Sequence, residues 1–217
     1  MDRLTQLQRW LDSLSENTYT DVKPASADAS FRQYFRVTNR KDNKTYIVMD
    51  APPEKEDCHP FLLVTDLIRG VSVNAPDVIS VDLHQGFLLL DDLGNKPYLD
   101  YLDEDSADSL YTDAIDALVK MQTIDGMLPK YDEQFLQAEM DLFETWYLNR
   151  HLGIELDPAQ KASLNDVCKL LIQSAIEQPQ VFVHRDYHSR NRMITDDNNP
   201  GVIDYQDAVI GPISYDL

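Results

Sequence analysis

The sequence predicts an α+β protein of two lobes, a small N-terminal lobe built on an antiparallel sheet and a mainly helical C-terminal lobe. Three observations predict it. Paired runs of alternating residues, joined by short polar turns, occupy the first 90 residues. Beyond Asp91 the pattern changes to segments with helical spacing. And 217 residues at 43% hydrophobic composition supply one sizeable core, or two small ones around a cleft. The division falls at Asp91-Asp92-Leu93-Gly94, giving lobes of residues 1–90 and 91–217.

The elements follow in order. Leu4, Leu7, Leu11 and Leu14 recur at helical spacing and predict an amphipathic helix over 3–16 that docks on its own domain. Residues 30–37 alternate as a strand, Asn39 to Asn43 form a turn, and residues 45–49 form the returning strand. Pro52-Pro53 stops that hairpin. Phe61, Val64, Leu67 and Ile68 predict a helix over 58–69. Residues 78–83 and 86–90 make a second hairpin about His84-Gln85. Three helices are then expected, over 104–124, 133–152 and 158–177. Short strand-like pieces lie at 181–183, 192–194 and 201–203. There is no internal repeat and no low-complexity stretch.

Composition narrows the function classes. Thirty-eight acidic residues against 19 basic ones leave a net charge of −19. Such a surface repels nucleic acid and anionic membranes, so neither is an expected partner. It repels a nucleotide at long range too, so a nucleotide site needs local compensation from metal ions, backbone N–H groups or single basic side chains. Cys58 and Cys168 stand alone, with no CxxC or Cys/His cluster, which argues against a zinc site and a disulfide scaffold. The N-terminal residues lack the apolar core of a signal peptide, and no apolar run is long enough to span a membrane. A cytoplasmic protein is expected. Oligomeric state is not legible.

The chemistry concentrates in Val183-His184-Arg185-Asp186-Tyr187-His188-Ser189-Arg190-Asn191 and in Val202-Ile203-Asp204-Tyr205-Gln206-Asp207. An apolar strand delivers a polar loop, and a strand pair returns to an aspartate. Phosphoryl transfer needs these residue types. A carboxylate must orient the attacking hydroxyl, and hard oxygen donors must hold Mg²⁺ against the phosphates.

His184-x-Asp186-x₄-Asn191 resembles the catalytic loop of protein kinases and aminoglycoside phosphotransferases, and Asp204 resembles the metal-binding aspartate that follows it. The resemblance implies a bilobal protein-kinase-like fold that uses ATP and Mg²⁺. It makes Asp186 the catalytic base and Asn191 and Asp204 the metal ligands. His188 would help at the γ-phosphate, and His184 and Asp207 would support the loop. Ala25 to Val37 occupies the place of a nucleotide-covering hairpin, with Asp28 and Ser30 against the phosphates, although it contains no glycine. Leu88 to Gly94 resembles the inter-lobe hinge, with Leu90 and Asp91 beside the base. The lysine such enzymes carry on the third strand is absent; Met49 or Asp50 stands there, and Arg32, Arg36 and Lys55 are the candidate substitutes.

Within the aminoglycoside phosphotransferase and choline-kinase-like superfamily, Met49-Asp50-Ala51-Pro52-Pro53-Glu54 and the 184–191 loop are most similar to the bacterial anomeric kinases of N-acetylmuramate and N-acetylglucosamine, a cell-wall recycling group. The implied acceptor is the C1 hydroxyl of an N-acetylated amino sugar. The competing readings are transfer to an aminoglycoside, choline or homoserine-like hydroxyl, and a nucleotide-binding pseudokinase. Related enzymes continue with further helices beyond the position of Leu217, so the C-terminal lobe is expected to be incomplete.

Overall fold

A computed structural model describes residues 2–14, 18–26 and 31–217. The chain forms two compact units, Met1–Ala117 with His188–Gln206, and Leu118–Tyr187 with Asp207–Leu217. These differ from the division at residue 90. The first unit extends to Ala117 and takes back a segment near the C-terminus, for a reason visible in its packing.

In the first unit, α1 (Arg3–Leu14) precedes an antiparallel sheet of β1 (Tyr19–Ser26), β2 (Gln33–Asn39), β3 (Thr45–Asp50), β4 (Val78–Asp82) and β5 (Phe87–Asp91), ordered β1-β2-β3-β5-β4. Strand alternation splits the sheet into two faces. On one face Val37, Val48, Phe87 and Leu89 pack against Leu7, Trp10 and Leu11 of α1. Asp50 ends this row. It is 3% exposed and paired with Arg3, whose Nε donates to Oδ1 at 3.0 Å and whose Nη2 also donates to the Gln85 carbonyl at 2.9 Å. A carboxylate so buried is retained only because it is paired.

β1 is not among the strands read from the sequence. It is an edge strand carrying Pro24, with register shifts between Thr20 and Lys23 and between Pro24 and Ser26. Such irregularities erase the alternation by which a strand is recognised, and an edge is where they are tolerated. The predicted strand over 30–37 begins at Gln33, its first residue lying outside the described residues.

α2 (His59–Gly70) opens with a proline in its first turn, where the missing N–H costs nothing, and buries Phe61, Val64, Thr65 and Ile68. A single 3₁₀ turn follows at Tyr98–Asp100. The returning segment forms the ribbon of β7 (Arg192–Met193) and β8 (Gly201–Val202). Asn74 bridges to Gly201 and Pro97 to Met193. Asn199 Nδ2 donates to the Tyr98 hydroxyl at 2.6 Å and to Asp113 at 2.7 Å, and Tyr205 stacks on Phe61 with ring centroids 5.3 Å apart. These contacts hold residues 188–206 in the first unit.

α3 (Ala107–Met121) carries the chain from the first unit into the second. There α4 (Glu133–Leu142) and α5 (Pro158–Ile176) accompany a two-stranded sheet of β6 (Gln180–Val183) and β9 (Val209–Pro212). Tyr131, Leu136, Ile172, Val183 and Val209 form its core. Asp157 caps α5 in a capping box with Gln160. The helix expected over 133–152 changes character at Phe143, where a π-helical stretch runs to His151. Phe143, Tyr147 and His151 stack at 5.4 and 5.7 Å, a ring column that the wider helix supports. β9 escaped the sequence reading because Val-Ile-Gly-Pro is too short and too broken to register.

Candidate active site

The loop after β6 is built in the second unit. His184 is fully buried, and its Nδ1 accepts the Asp186 N–H at 3.3 Å. Arg185 adopts φ +77°, a conformation costly for a non-glycine residue. Three partners pin its side chain: Glu139 at 2.6 Å and the rings of Phe135 and Tyr131, 5.0 and 5.7 Å away. The Asp207 carbonyl lies 3.5 Å from Nη1. Asp216 closes the arrangement. Its Oδ2 accepts the His184 N–H at 2.6 Å and its Oδ1 the Arg185 N–H at 3.0 Å. Burial pushes the Asp216 carboxyl above its ordinary value, those two bonds pull it back, and the charge of Asp186 adds to the rise. Asp186 itself is exposed.

The metal-ligand candidates belong to the first unit. Asn191 Nδ2 donates to Asp204 Oδ2 at 3.2 Å, and Gln206 Nε2 donates to Asp204 Oδ1 at 2.8 Å. The backbone fixes this pair as well. The Asn191 N–H donates to the His188 carbonyl at 3.0 Å, and the Ile203 N–H donates to the Asn191 carbonyl at 3.1 Å. Asp204 has φ +65°, a second strained non-glycine residue. One carboxylate and one amide oxygen form a hard donor set. Among the described residues no cluster of three or more His, Cys, Asp or Glu could hold a metal by itself. A two-ligand set completed by phosphate oxygens is the kind Mg²⁺ accepts, so Asn191 and Asp204 fit that ion. His188 is exposed.

Leu90 is buried at the end of β5. The Asp91 N–H donates to the Asp77 carbonyl at 3.0 Å. Beside it, Arg36 forks onto Asp92 at 2.6 and 2.9 Å and donates to the Gly94 carbonyl at 2.9 Å. Burial alone would raise Asp92, but the bonds from Arg36, Thr45 and Gly94 hold it below its ordinary value. Asp28 and Ser30 lie outside the described residues. Sequence reasoning missed Asp216 and Gln206. Gln206 stood inside the Asp-Tyr-Gln-Asp run, two residues past the ligand. Asp216 gave no local signal, being 32 residues from the loop it holds.

Residues 21–217 match the family described as the phosphotransferase enzyme family. The chain belongs to that family. Among its relatives is the N-acetylmuramate/N-acetylglucosamine kinase of Pseudomonas aeruginosa, 47% identical over 99% of this chain and 66% of that protein. The protein of the same name from Neisseria meningitidis serogroup B is 39% identical over all of this chain and 66% of its own length. The chain thus spans just under two thirds of the length of these relatives. Two solved phosphotransferases of the fold are the ADP-bound aminoglycoside phosphotransferase APH(2'')-Ib, with a TM-score of 0.65 at 15% identity, and APH(4)-Ia, with 0.68 at 14%. They cover 97% and 98% of this chain, which covers 73% and 75% of them. The bilobal kinase-like expectation therefore holds at the level of fold, with the antiparallel sheet and helices in the predicted order.

Proposed function

We propose that this phosphotransferase transfers the γ-phosphate of ATP to the anomeric hydroxyl of an N-acetylated amino sugar, N-acetylmuramate or N-acetylglucosamine, in the cytoplasm. The observation that carries the acceptor is the 47% identity to a kinase of that name over 99% of the chain. The Asn191–Asp204 contact supports the reaction class. So does the buried anchoring of the His184–Asp186 loop by Asp216.

In this reading Asp186 accepts the hydrogen of the acceptor hydroxyl and aims its oxygen at the γ-phosphorus. His184 and Asp207 support the loop, and His188 donates to the γ-phosphate. Asn191 and Asp204 hold Mg²⁺, with Gln206 fixing the Asp204 carboxylate. The ion, when bound, neutralises phosphate charge. Most of the rate gain comes from positioning.

The test is ADP release with MgATP across N-acetylmuramate, N-acetylglucosamine, an aminoglycoside and choline. Turnover confined to the N-acetylated sugars is expected. Turnover confined to the cationic acceptors, which the net charge of −19 would attract, moves the assignment to them. Asp186→Asn should bind MgATP normally and lose about 10³-fold or more in turnover, since a positioned base contributes about 10²–10⁴. Near-normal turnover removes Asp186 from the mechanism. Asp204→Ala should weaken nucleotide binding only when Mg²⁺ is present; an unchanged Mg²⁺ dependence rejects its role.

A further inference from the structure

β3 ends in Met49 and Asp50, so it offers no cation to a polyphosphate, and Asp50 is committed to Arg3 on the α1 face. The opposite face of the sheet carries a different set of side chains. Arg32, Tyr34 and Arg36 follow one another at spacing two along β2 and the residue before it. Tyr34 stands opposite Met49 and Arg36 opposite Ile47. Two arginines therefore share the face away from α1.

Their settings differ. Arg36 is closed off by its fork onto Asp92 and its bond to the Gly94 carbonyl. Arg32 Nε donates to Glu56 Oε2 at 3.1 Å, both side chains being largely covered at 13 and 14% exposure. The Tyr34 side chain lies within hydrogen-bonding reach of Arg32. The Arg32 guanidinium is thus held inside the first unit by two neighbours, Glu56 and Tyr34.

We propose that Arg32, oriented by Glu56 and Tyr34, is the cation that binds the phosphate chain of the nucleoside triphosphate. The proposal rests on the nucleotide-dependent reading above. A guanidinium presents five donors in a planar fork, which can keep Glu56 at Nε while pairing two phosphate oxygens. Glu56 acts here as a positioning residue. In a chain of net charge −19, a covered cation held in place supplies the local compensation a polyanion requires.

The experiment is equilibrium binding of MgATP, MgADP and adenosine to the full chain and to Arg32→Met, Arg32→Lys and Glu56→Gln. Arg32→Met should weaken MgATP and MgADP about 10-fold or more, as for loss of a charge-assisted bidentate contact, and leave adenosine unchanged. Arg32→Lys should recover part of the loss. Glu56→Gln should weaken the phosphate-bearing ligands by a smaller factor. Equal weakening of all three ligands by Arg32→Met would mark a structural role and overturn the proposal, as would unchanged MgATP binding. Should Arg32→Met melt below the assay temperature, the Arg32→Lys and Glu56→Gln ratios of MgATP to adenosine affinity decide by the same criterion. Parent binding of MgATP that Arg32→Met leaves unchanged overturns the proposal alone. A parent chain that does not bind MgATP overturns the functional reading as well.

Discussion

Asp216 shows what a single side chain far from the motif contributes. Its two oxygens accept consecutive backbone N–H groups, those of His184 and Arg185, and so set the path of the chain into Asp186. An amide there keeps one acceptor and turns a donor toward the other N–H, an unfavourable pairing in a covered site. Asp216→Asn should therefore lower turnover about 10–100-fold through misplacement of Asp186, with MgATP affinity within about twofold of the parent. Asp216→Glu should restore part of the rate. The folded carboxyl lies above its ordinary value of 3.8. Proton uptake thus begins at a higher pH than in an exposed aspartate and removes an acceptor as pH falls. The sign for stability is the reverse of a salt-bridged aspartate: ionised Asp216 carries a cost that acidification relieves. Turnover should consequently fall on the acid side while the melting temperature does not fall on account of this group. pH-rate profiles and thermal melts of parent and Asp216→Asn, compared side by side, check both.

Among the elements, the β4–β5 turn leaves no room for a side chain at Gly86. Gly86 has φ +74°, and a Cβ built there would stand 1.9 Å from the Ala51 carbonyl oxygen, the group that follows β3. The Ala51 N–H meanwhile donates to the Gly86 carbonyl at 2.8 Å. Gly86→Ala must displace the end of β3 and should cost about 2 kcal/mol or more; a melt unchanged within a degree or two would show that the turn relaxes freely. Sequence periodicity made most elements legible, because α1 and α2 bury one face each and so print their period in the chain, while β5 shows as a short continuous apolar run buried on both faces. β1 was illegible for the opposite reason, since Pro24 and two register shifts on an exposed edge leave no period. Phe143–His151 has apolar residues at helical spacing, yet that spacing does not distinguish an α-helix from the wider turn observed. At the candidate site, the loop motif made Asp186, Asn191 and Asp204 candidates because their spacing is local. The Arg3–Asp50 pair joins residues 47 positions apart and could not be read without the sheet.

For the molecule as a whole, net charge of −19 sets the approach of any anionic ligand. Long-range repulsion is screened within about 10 Å at 0.1 M salt. The association rate constant for MgATP should therefore rise as salt increases from about 0.02 M to about 0.2 M. A steep fall measured by stopped flow would mean that the local cations dominate the encounter. Each compact unit is made of two separated stretches of chain, and this sets an order of events during synthesis. All five sheet strands have left the ribosome once residue 91 is out, but the ribbon bearing Asn191 and Asp204 arrives only with residues 188–206. At about 5–20 residues per second the earlier stretch waits several seconds for it. During that interval Phe61 and Thr65 lack the Tyr205 ring they cover in the finished protein. The nascent chain thus offers a transient apolar surface to chaperones at the place where the metal-ligand candidates will later be seated.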